Sequence, residues 1–572
     1  SYRNPESFNG VFSYIQLFNA LSEKAEALSL LYRQQKEIPV LESALDAYQS
    51  AFRLASYVER TYDSDEARLF LGKIKHHVHS KPIDISILLY ELTGKINYLE
   101  QAYHFDQLNK ASILALNIQE NELRKTNGRN SELLEKESLI KRNITRLSLN
   151  AARLTDSNTL KTVVATIRDH EIELGKLQEK INEQTDWNIR DAGLQIPGVS
   201  QLQRKLDNNS ALLSYHLSDH ELLVLLISNR KFEYYKTEID PVFFERLEHF
   251  KRILHSGSAD ERYEGGQAAQ ALYQVLIKPV YASLKQYSRL VIIPDDELNY
   301  LPFEALQDEN KKYLLEQFSV QYQFSTALFG DNPQSGYLAK SLAFAPFINA
   351  GFPEDAAGTF YSVLPASKDE VENLNGKILT DTSATKKNFL RHSNSYPLLH
   401  LATHATVNND TPAHSYIAFY PHDRDYKLYA GEIASLRLDS VKLVILSACE
   451  TGTGKLIKGE GLMSLSRAFA YAGCPDIITS LWKAEDRTTS FITQRLHYYL
   501  EKRYSKDMAL QQAKLDLLKS NEIDPRYKTP DYWAHLIYIG NYEEDRGSKT
   551  WWWIALAIIG GAFLYKMVRR KK

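Results

Sequence analysis

Leu443-Val444-Ile445-Leu446-Ser447-Ala448-Cys449-Glu450-Thr451-Gly452 decides how the chain is read. An apolar run without alternation reads as a strand buried on both faces, as a parallel sheet covered by helices requires. The run ends in small residues, a cysteine and a glycine. A second run of the same shape, Leu398-Leu399-His400-Leu401-Ala402-Thr403-His404-Ala405, ends at a histidine. The cysteine and the histidine are 45 residues apart in the chain. That is room for one strand–helix excursion, which can bring the two strand ends side by side.

Outward from these runs the same pattern continues. Leu290–Ile293, Ser341–Ala345, Tyr416–Tyr420 and Ile477–Leu481 read as further strands. Helical patterns lie between them at Lys368–Asn375, Ser383–His392 and Gly461–Ala472. Leu212–Tyr215, Leu222–Ile227 and Lys231–Tyr235 are short strands at the front of this region, just after the break Ile196-Pro197-Gly198. Alternation of this kind predicts a mostly parallel central sheet with helices on both faces, an α/β/α domain over residues 200–545. In such sheets ligands bind beyond the carboxyl ends of strands, where His404 and Cys449 both stand.

Residues 1–190 differ. They are almost wholly helical in pattern, with apolar residues at steps of three and four. Leu28, Leu31 and Tyr32 precede Ala44, Tyr48 and Ala51 at spacings that let two antiparallel helices approach closely, as in tetratricopeptide repeats. A plain helical bundle is the simpler alternative. Tyr98–Leu114 reads as another such helix, with Ala102 and Ala111 as small contacts. Residues 115–185, rich in Glu, Lys, Arg and Leu, read as a helical hairpin broken near Thr155–Asn158.

The chain has 572 residues with 69 Lys plus Arg against 71 Asp plus Glu. That near-balance gives no overall basic footprint, and no nucleic-acid partner is expected. Two cysteines, Cys449 and Cys474, exclude a disulfide scaffold and a cysteine-rich zinc fold. Cys474 reads as buried and inert. His76, His77 and His79 cluster, but no neighbouring carboxylate or cysteine completes a metal shell, so they read as a solvated helix face. No metal or other cofactor is expected. Gly452-Thr453-Gly454-Lys455 fails as a phosphate loop, because Cys449 and Leu456 stand where Gly and Ser or Thr are needed.

The carboxyl end reads as a membrane anchor. Trp551–Val568 is long enough at about 1.5 Å per residue to cross a bilayer core. Trp551, Trp552 and Trp553 stand at one end, and the basic tail Arg569–Lys572 at the other. The expectation is a single C-terminal transmembrane helix at 551–568 with a basic tail at 569–572, and membrane localisation. The soluble part would be extracytoplasmic if the positive-inside rule holds and a signal peptide was removed. No signal peptide is visible in residues 1–30, and the sequence starts at Ser1.

The chemistry at the two strand ends is that of covalent catalysis. A cysteine becomes a thiolate at neutral pH only beside a base or cation, and a histidine can take its proton and return one to a leaving amine. The backbone N–H of Cys449, with another from the loop after His404, would stabilise an oxyanion. Gly452 and Gly454 would let a substrate backbone approach.

Val291-Ile292-Ile293-Pro294-Asp295 with Leu301-Pro302-Phe303-Glu304-Ala305-Leu306 resembles the opening segment of the CHAT family, caspase-like cysteine peptidases joined to tetratricopeptide repeats, in the clan of caspases and separase. His400–His404 and Ser447–Gly452 resemble that family's catalytic motifs. Gly459-Glu460-Gly461-Leu462, Arg467-Ala468-Phe469 and Ala472-Gly473 resemble its helix after the nucleophile. Ser480-Leu481-Trp482 with Asp486 resembles the strand and loop beyond, and Pro530–Ala534 its closing segment. Leu108-Asn109-Lys110-Ala111 is similar to what precedes such domains.

The resemblance implies a peptidase dyad, with His404 as base and Cys449 as nucleophile. It implies an oxyanion hole from the backbones of Ala405 and Cys449, Ala405 standing where caspases have Gly. Asp486 resembles a loop aspartate that in separase receives a basic side chain before the scissile bond, and Glu485 or Asp476 would contribute. Alternatively Asp486 caps the helix starting near Arg487. The expected function is a membrane-anchored cysteine endopeptidase cleaving protein substrates, with helical repeats that bind a protein partner. The alternative is a catalytically silent adaptor in signalling.

Overall fold

The structure is a computed structural model, and it describes residues 13–61, 65–126, 131–151, 156–183, 194–256, 263–329, 338, 340–349, 361–421, 425–448, 450–483 and 485–543. An eleven-stranded sheet forms its centre. Its first half runs Gly376–Thr380, Ser341–Ala345, Leu398–Ala402, Leu443–Ser447 and Asp476–Ser480, all parallel. Leu536–Gly540 then pairs antiparallel with Asp476–Ser480 and reverses the direction. It is followed by the parallel strands Ser319–Tyr322, Arg289–Ile293 and Ser210–Leu217. The antiparallel Glu221–Ser228 and Phe232–Glu238 close that edge. Two parallel halves therefore present their carboxyl ends in opposite directions.

Side chains alternate across a strand, so each strand feeds two layers. Leu213, Val224, Leu290, Ile292, Ile445 and Ile478 face one layer, packed on the helices Pro241–Ser256, Gly266–Leu276, Asp486–Glu501 and Lys506–Lys519. Leu399, Leu401, Val444, Leu446 and Ile477 face the other, against Lys386–His392 and Leu465–Tyr471. Beside them, Leu212, Leu223, Leu225, Val291 and Ile293 meet the amino-terminal helices Ile38–Thr61, Ser80–Thr93 and Ile96–Leu108. The helical region thus supplies one face of the sandwich and shares a core with the sheet.

The first helical pair, Tyr14–Gln35 and Ile38–Thr61, approaches through Ala25, Ala44 and Ala51, each fully buried. Leu31 is exposed and takes no part. The helix read over Tyr98–Leu114 is two helices, Ile96–Leu108 and Ser112–Thr126. Ala111 interrupts it with φ 47°, and its N–H donates to Gly459 O at 2.8 Å, outside any helix. Glu460 then caps the second helix, accepting from Ser112 Oγ at 2.9 Å and Ile113 N at 3.0 Å. Its other oxygen pairs with the buried Arg467 at 2.5 Å. The expected hairpin is Ser131–Ala151 with Ser157–Glu183, joined through Ile140, Leu177 and Ile181.

The membrane-spanning helix is corrected. Among the described residues no helix is long and apolar enough to cross a membrane, and residues 551–572 lie outside them. Helices long enough, such as Ser157–Glu183, carry Lys, Arg, Asp and Glu along their length, which a bilayer core does not accept. The membrane localisation that rested on that anchor is withdrawn with it.

Glu460→Ala removes the helix cap and strands a buried guanidinium. The expected cost is about 3–5 kcal/mol of unfolding free energy, measured by urea titration. A cost below about 1 kcal/mol would show that the joint is not strained by losing its carboxylate.

Candidate active site

Leu398–Ala402 and Leu443–Ser447 pair from Leu398↔Leu443 to Ala402↔Ser447, every pair 45 residues apart. The ladder runs one residue further, with Thr403 N donating to Ser447 O at 3.3 Å. Thr403 Oγ1 donates to Ala418 O at 2.6 Å, and Ala418 N donates to His404 O at 2.9 Å. The backbone at His404 is therefore fixed from both sides. Its half-buried ring lies beside Phe347 and Tyr361, with centroids at 5.0 and 5.6 Å. Nε2 is 2.8 Å from Ser362 O. A carbonyl only accepts, so Nε2 carries the hydrogen and Nδ1 keeps its lone pair. Burial holds the His404 pKa below the usual histidine value, with Lys483 adding to the effect and the Ser362 bond opposing it.

Cys449 itself lies outside the described residues. Around it the turn is tightly held. Glu450 has φ 57°, a left-handed conformation uncommon outside glycine and costly in strain. Thr451, fully buried, bonds Thr479 Oγ1 at 2.9 Å, and Gly452 N donates to Ser480 O at 2.8 Å. The two glycines expected to admit substrate instead admit the protein's own chain. A Cβ at Gly452 would lie 2.9 Å from Thr479 Cγ2, and one at Gly454 2.2 Å from Met463 O. Gly454–Ile457 and Gly461–Ser464 form a hairpin, and the following helix is Leu465–Tyr471, shorter than the pattern over Gly461–Ala472 indicated. Ser464 Oγ, accepting from Arg467 N at 3.2 Å, starts that helix where the hairpin ends.

Ala405 is half-buried and pairs opposite Ile417. His404 and Ala418 are the hydrogen-bonded pair of this antiparallel ladder, so the next residue, Ala405, turns its N–H away from it. Asp486 opens the helix Asp486–Glu501, but the cap is Glu485, which accepts from Thr488 N at 2.7 Å. Asp486 Oδ2 instead accepts from Ala366 N at 3.0 Å. Burial pushes its pKa up to about 6; the Ala366 bond opposes this, while Glu370, Glu485 and Asp369 reinforce it. One short segment, Tyr361 to Ala366, thus touches both His404 and Asp486. Asp476 does not contribute. It starts its strand at the opposite end and pairs there with Lys506 at 2.8 Å. Cys474 is buried as expected, and burial raises its thiol pKa well above the usual value.

Sequence reasoning missed Ser362 and Ala366, which act through backbone atoms and so leave no residue-type signal. It also missed a buried network under the site. His400 Nδ1 meets His497 at 2.9 Å, and its Nε2 meets Glu370 at 3.2 Å. Burial drives His400 down to about 3 and Glu370 up to about 7. A cavity of about 230 Å3 lined by Phe324, Tyr471, Cys474 and Pro475 opens at the other end of these strands, away from His404.

Fold and site together define an α/β/α domain backed by a helical array, with polar groups gathered at the carboxyl ends of central parallel strands. Residues 266–541 match the CHAT domain, and the chain carries that domain. Tetratricopeptide repeat protein 28 of Mus musculus is 22% identical over 378 residues, covering 53% of this chain and 15% of that protein. Its Homo sapiens counterpart is 23% identical over 328 residues, covering 48% of this chain and 13% of that protein. The matched part is thus a small fraction of these relatives' length. Among solved structures, the Saccharomyces cerevisiae separase–securin complex aligns with a TM-score of 0.41 at 9% identity, covering 93% of this chain and 48% of that one. The Arg-specific cysteine proteinase gingipain R aligns with a TM-score of 0.31 at 11% identity, covering 52% of this chain and 74% of that one.

The His404 geometry predicts an Nε2–H tautomer with a pKa below the ordinary value of about 6.5. Nitrogen-15 NMR titration of the ring reads both. A protonated Nδ1 at neutral pH would contradict the assignment.

Proposed function

We propose that the chain is a cysteine endopeptidase in which His404 is the base and Cys449 the nucleophile, selective for a basic residue before the scissile bond. The observation that carries this reading is the His404 ring, neutral by burial and held with Nε2–H on the Ser362 carbonyl. Nδ1 is then the atom that takes the thiol proton. The thiolate attacks the peptide carbonyl, and the C–N bond breaks as the imidazolium returns its proton to the amine. Water, deprotonated by the same nitrogen, cleaves the thioester. The N–H of Ala405, turned away from its ladder, and that of Cys449 would stabilise the oxyanion. Asp486, relieved of capping by Glu485, would meet Arg or Lys of the substrate, Arg with two bonds. The helical region would hold a protein partner or restrain the site.

The test uses the full chain and peptides bearing Arg, Lys or Asp before the scissile bond. Cys449→Ala and His404→Ala are each expected to lower kcat/KM by on the order of 10³-fold or more. Unchanged cleavage or unchanged thiol labelling in Cys449→Ala sinks the enzyme reading. Cleavage after Asp alone sinks the basic specificity.

The pH profile separates the two groups. Asp486 must be ionised to hold a cation, so cleavage after Arg falls as the pH drops through about 6. His404, with its pKa held down, keeps its lone pair to lower pH. Asp486→Asn should lose about 10–100-fold on Arg peptides and also lose the limb near pH 6. A profile unchanged by that substitution would remove Asp486 from the pocket.

A further inference from the structure

The structure divides the histidines of residues 76–79. His77 is exposed. His79 is 4% exposed, in the turn between the helices Asp65–His76 and Ser80–Thr93. Its ring stacks on His76 at 4.4 Å and meets His216 edge-on at 4.8 Å. His216 lies near the carboxyl end of Ser210–Leu217, and Asp295 follows the parallel neighbour Arg289–Ile293. The reading of a solvated face fails for His79, because the fold brings the missing carboxylate from over two hundred residues away.

We infer that His79, His216 and Asp295 form a binding site for one divalent transition-metal ion of the zinc class. Their candidate ligand atoms all lie within 4.8 Å of one another, and all three residues are buried. Two imidazoles and a carboxylate are a ligand set that zinc takes in tetrahedral geometry with bonds of about 2.0–2.2 Å, which spaces ligand atoms about 3.3–3.5 Å apart. His216 Nδ1 and Asp295 Oδ2 stand 3.4 Å apart. That is longer than an ordinary N–H···O bond and equal to one edge of such a tetrahedron. His216 Nδ1 is also a buried nitrogen with no partner at ordinary hydrogen-bond length, its neighbours being Asp295 Oδ2 at 3.4 Å and Asp106 Oδ1 at 3.8 Å. An orphan of this kind calls for a ligand.

The outer contacts fit. His79 Nδ1 is 2.7 Å from His76 O, so it carries the hydrogen and leaves Nε2 as the donor to a metal. His216 Nε2 meets Ser80 Oγ at 3.1 Å, and Asp295 Oδ2 accepts from Leu217 N at 2.9 Å. Lys110 pairs with Asp106 at 2.7 Å and with Ser214 at 2.8 Å. The ion would join a turn of the helical layer to two strand ends, with a fourth position left for water. Because the sheet reverses at Leu536–Gly540, this site lies on the edge facing away from His404.

The experiment measures metal in the full chain after chelator treatment and Zn²⁺ titration against a competing chromophoric chelator. One equivalent of tightly held Zn²⁺ per chain is expected, with a rise in Tm and, on Co²⁺ replacement, the visible spectrum of four-coordinate cobalt. His79→Gln and Asp295→Asn should each weaken binding more than about 10-fold, while His77→Gln should not. Circular dichroism checks that each variant is folded. Wild-type protein that takes up no Zn²⁺ under these conditions overturns the proposal and leaves the cluster a histidinium–carboxylate pair. Equal binding by wild type and a folded His79→Gln overturns it as well.

Discussion

The pairing of Leu398–Ala402 with Leu443–Ser447 is the constraint on which the site rests. Parallel strands have one register that keeps both faces buried, since a slip of one residue turns every side chain to the wrong layer. Leu399, Leu401, Val444 and Leu446 fill one layer together, and Ile445 fills the other. That packing fixes the offset at 45 residues along the whole ladder. His404 and Cys449 each follow their paired strand end by two residues, so the same offset relates them in sequence. Hydrophobic burial in the sheet thereby dictates where the polar chemistry begins.

A second dependence joins the helical region to this sheet. Lys110, buried, is held by Asp106 and Ser214, the latter on the strand Ser210–Leu217. Glu460 holds Ser112, Ile113 and Arg467 at once, and Arg467 sits in the helix that follows the turn after position 449. Each group is charged and buried, so losing one partner costs more than an exposed pair would. The hairpin Gly454–Ser464 and the helix after it are therefore tied to the helical layer by buried contacts, Asn117 of that layer also donating to Tyr471 Oη.

Much of this was legible in the sequence, and the misses have physical causes. The central strands announced themselves because burial on both faces makes them apolar throughout. Ser319–Tyr322 did not, because Gln321 and Gln323 are buried polar residues satisfied by Gly540 O, a partner known only after folding. Gly376–Thr380 is an edge strand, partly exposed, and so lacks the apolar run. Ala111 looked like a helix contact because nothing local shows that its N–H is claimed by Gly459. The role of Gly452 was misjudged for a related reason: a glycine in a loop marks a close approach, but not what approaches. His79 is the sharpest case, since a histidine's partners can come from anywhere in the chain.

The nature of the His404 orienter bears on the chemistry. A carboxylate against a histidine stabilises the imidazolium and raises its pKa. Here the partner is the neutral carbonyl of Ser362, and burial beside Phe347 and Tyr361 works against charge. Such a ring is a weaker base than a carboxylate-oriented one. A thiol ionises near pH 8.5, several units more readily than an alcohol, and needs less driving force. A carbonyl-oriented histidine thus matches a sulfur nucleophile better than an oxygen one. The nearby carboxyl groups follow the same logic. Glu370 sits under the strands beside His400 with its pKa pushed up to about 7 by burial, so at neutral pH much of its charge is absent. Asp486, less confined, has its pKa pushed up only to about 6 and keeps more of its charge at neutral pH.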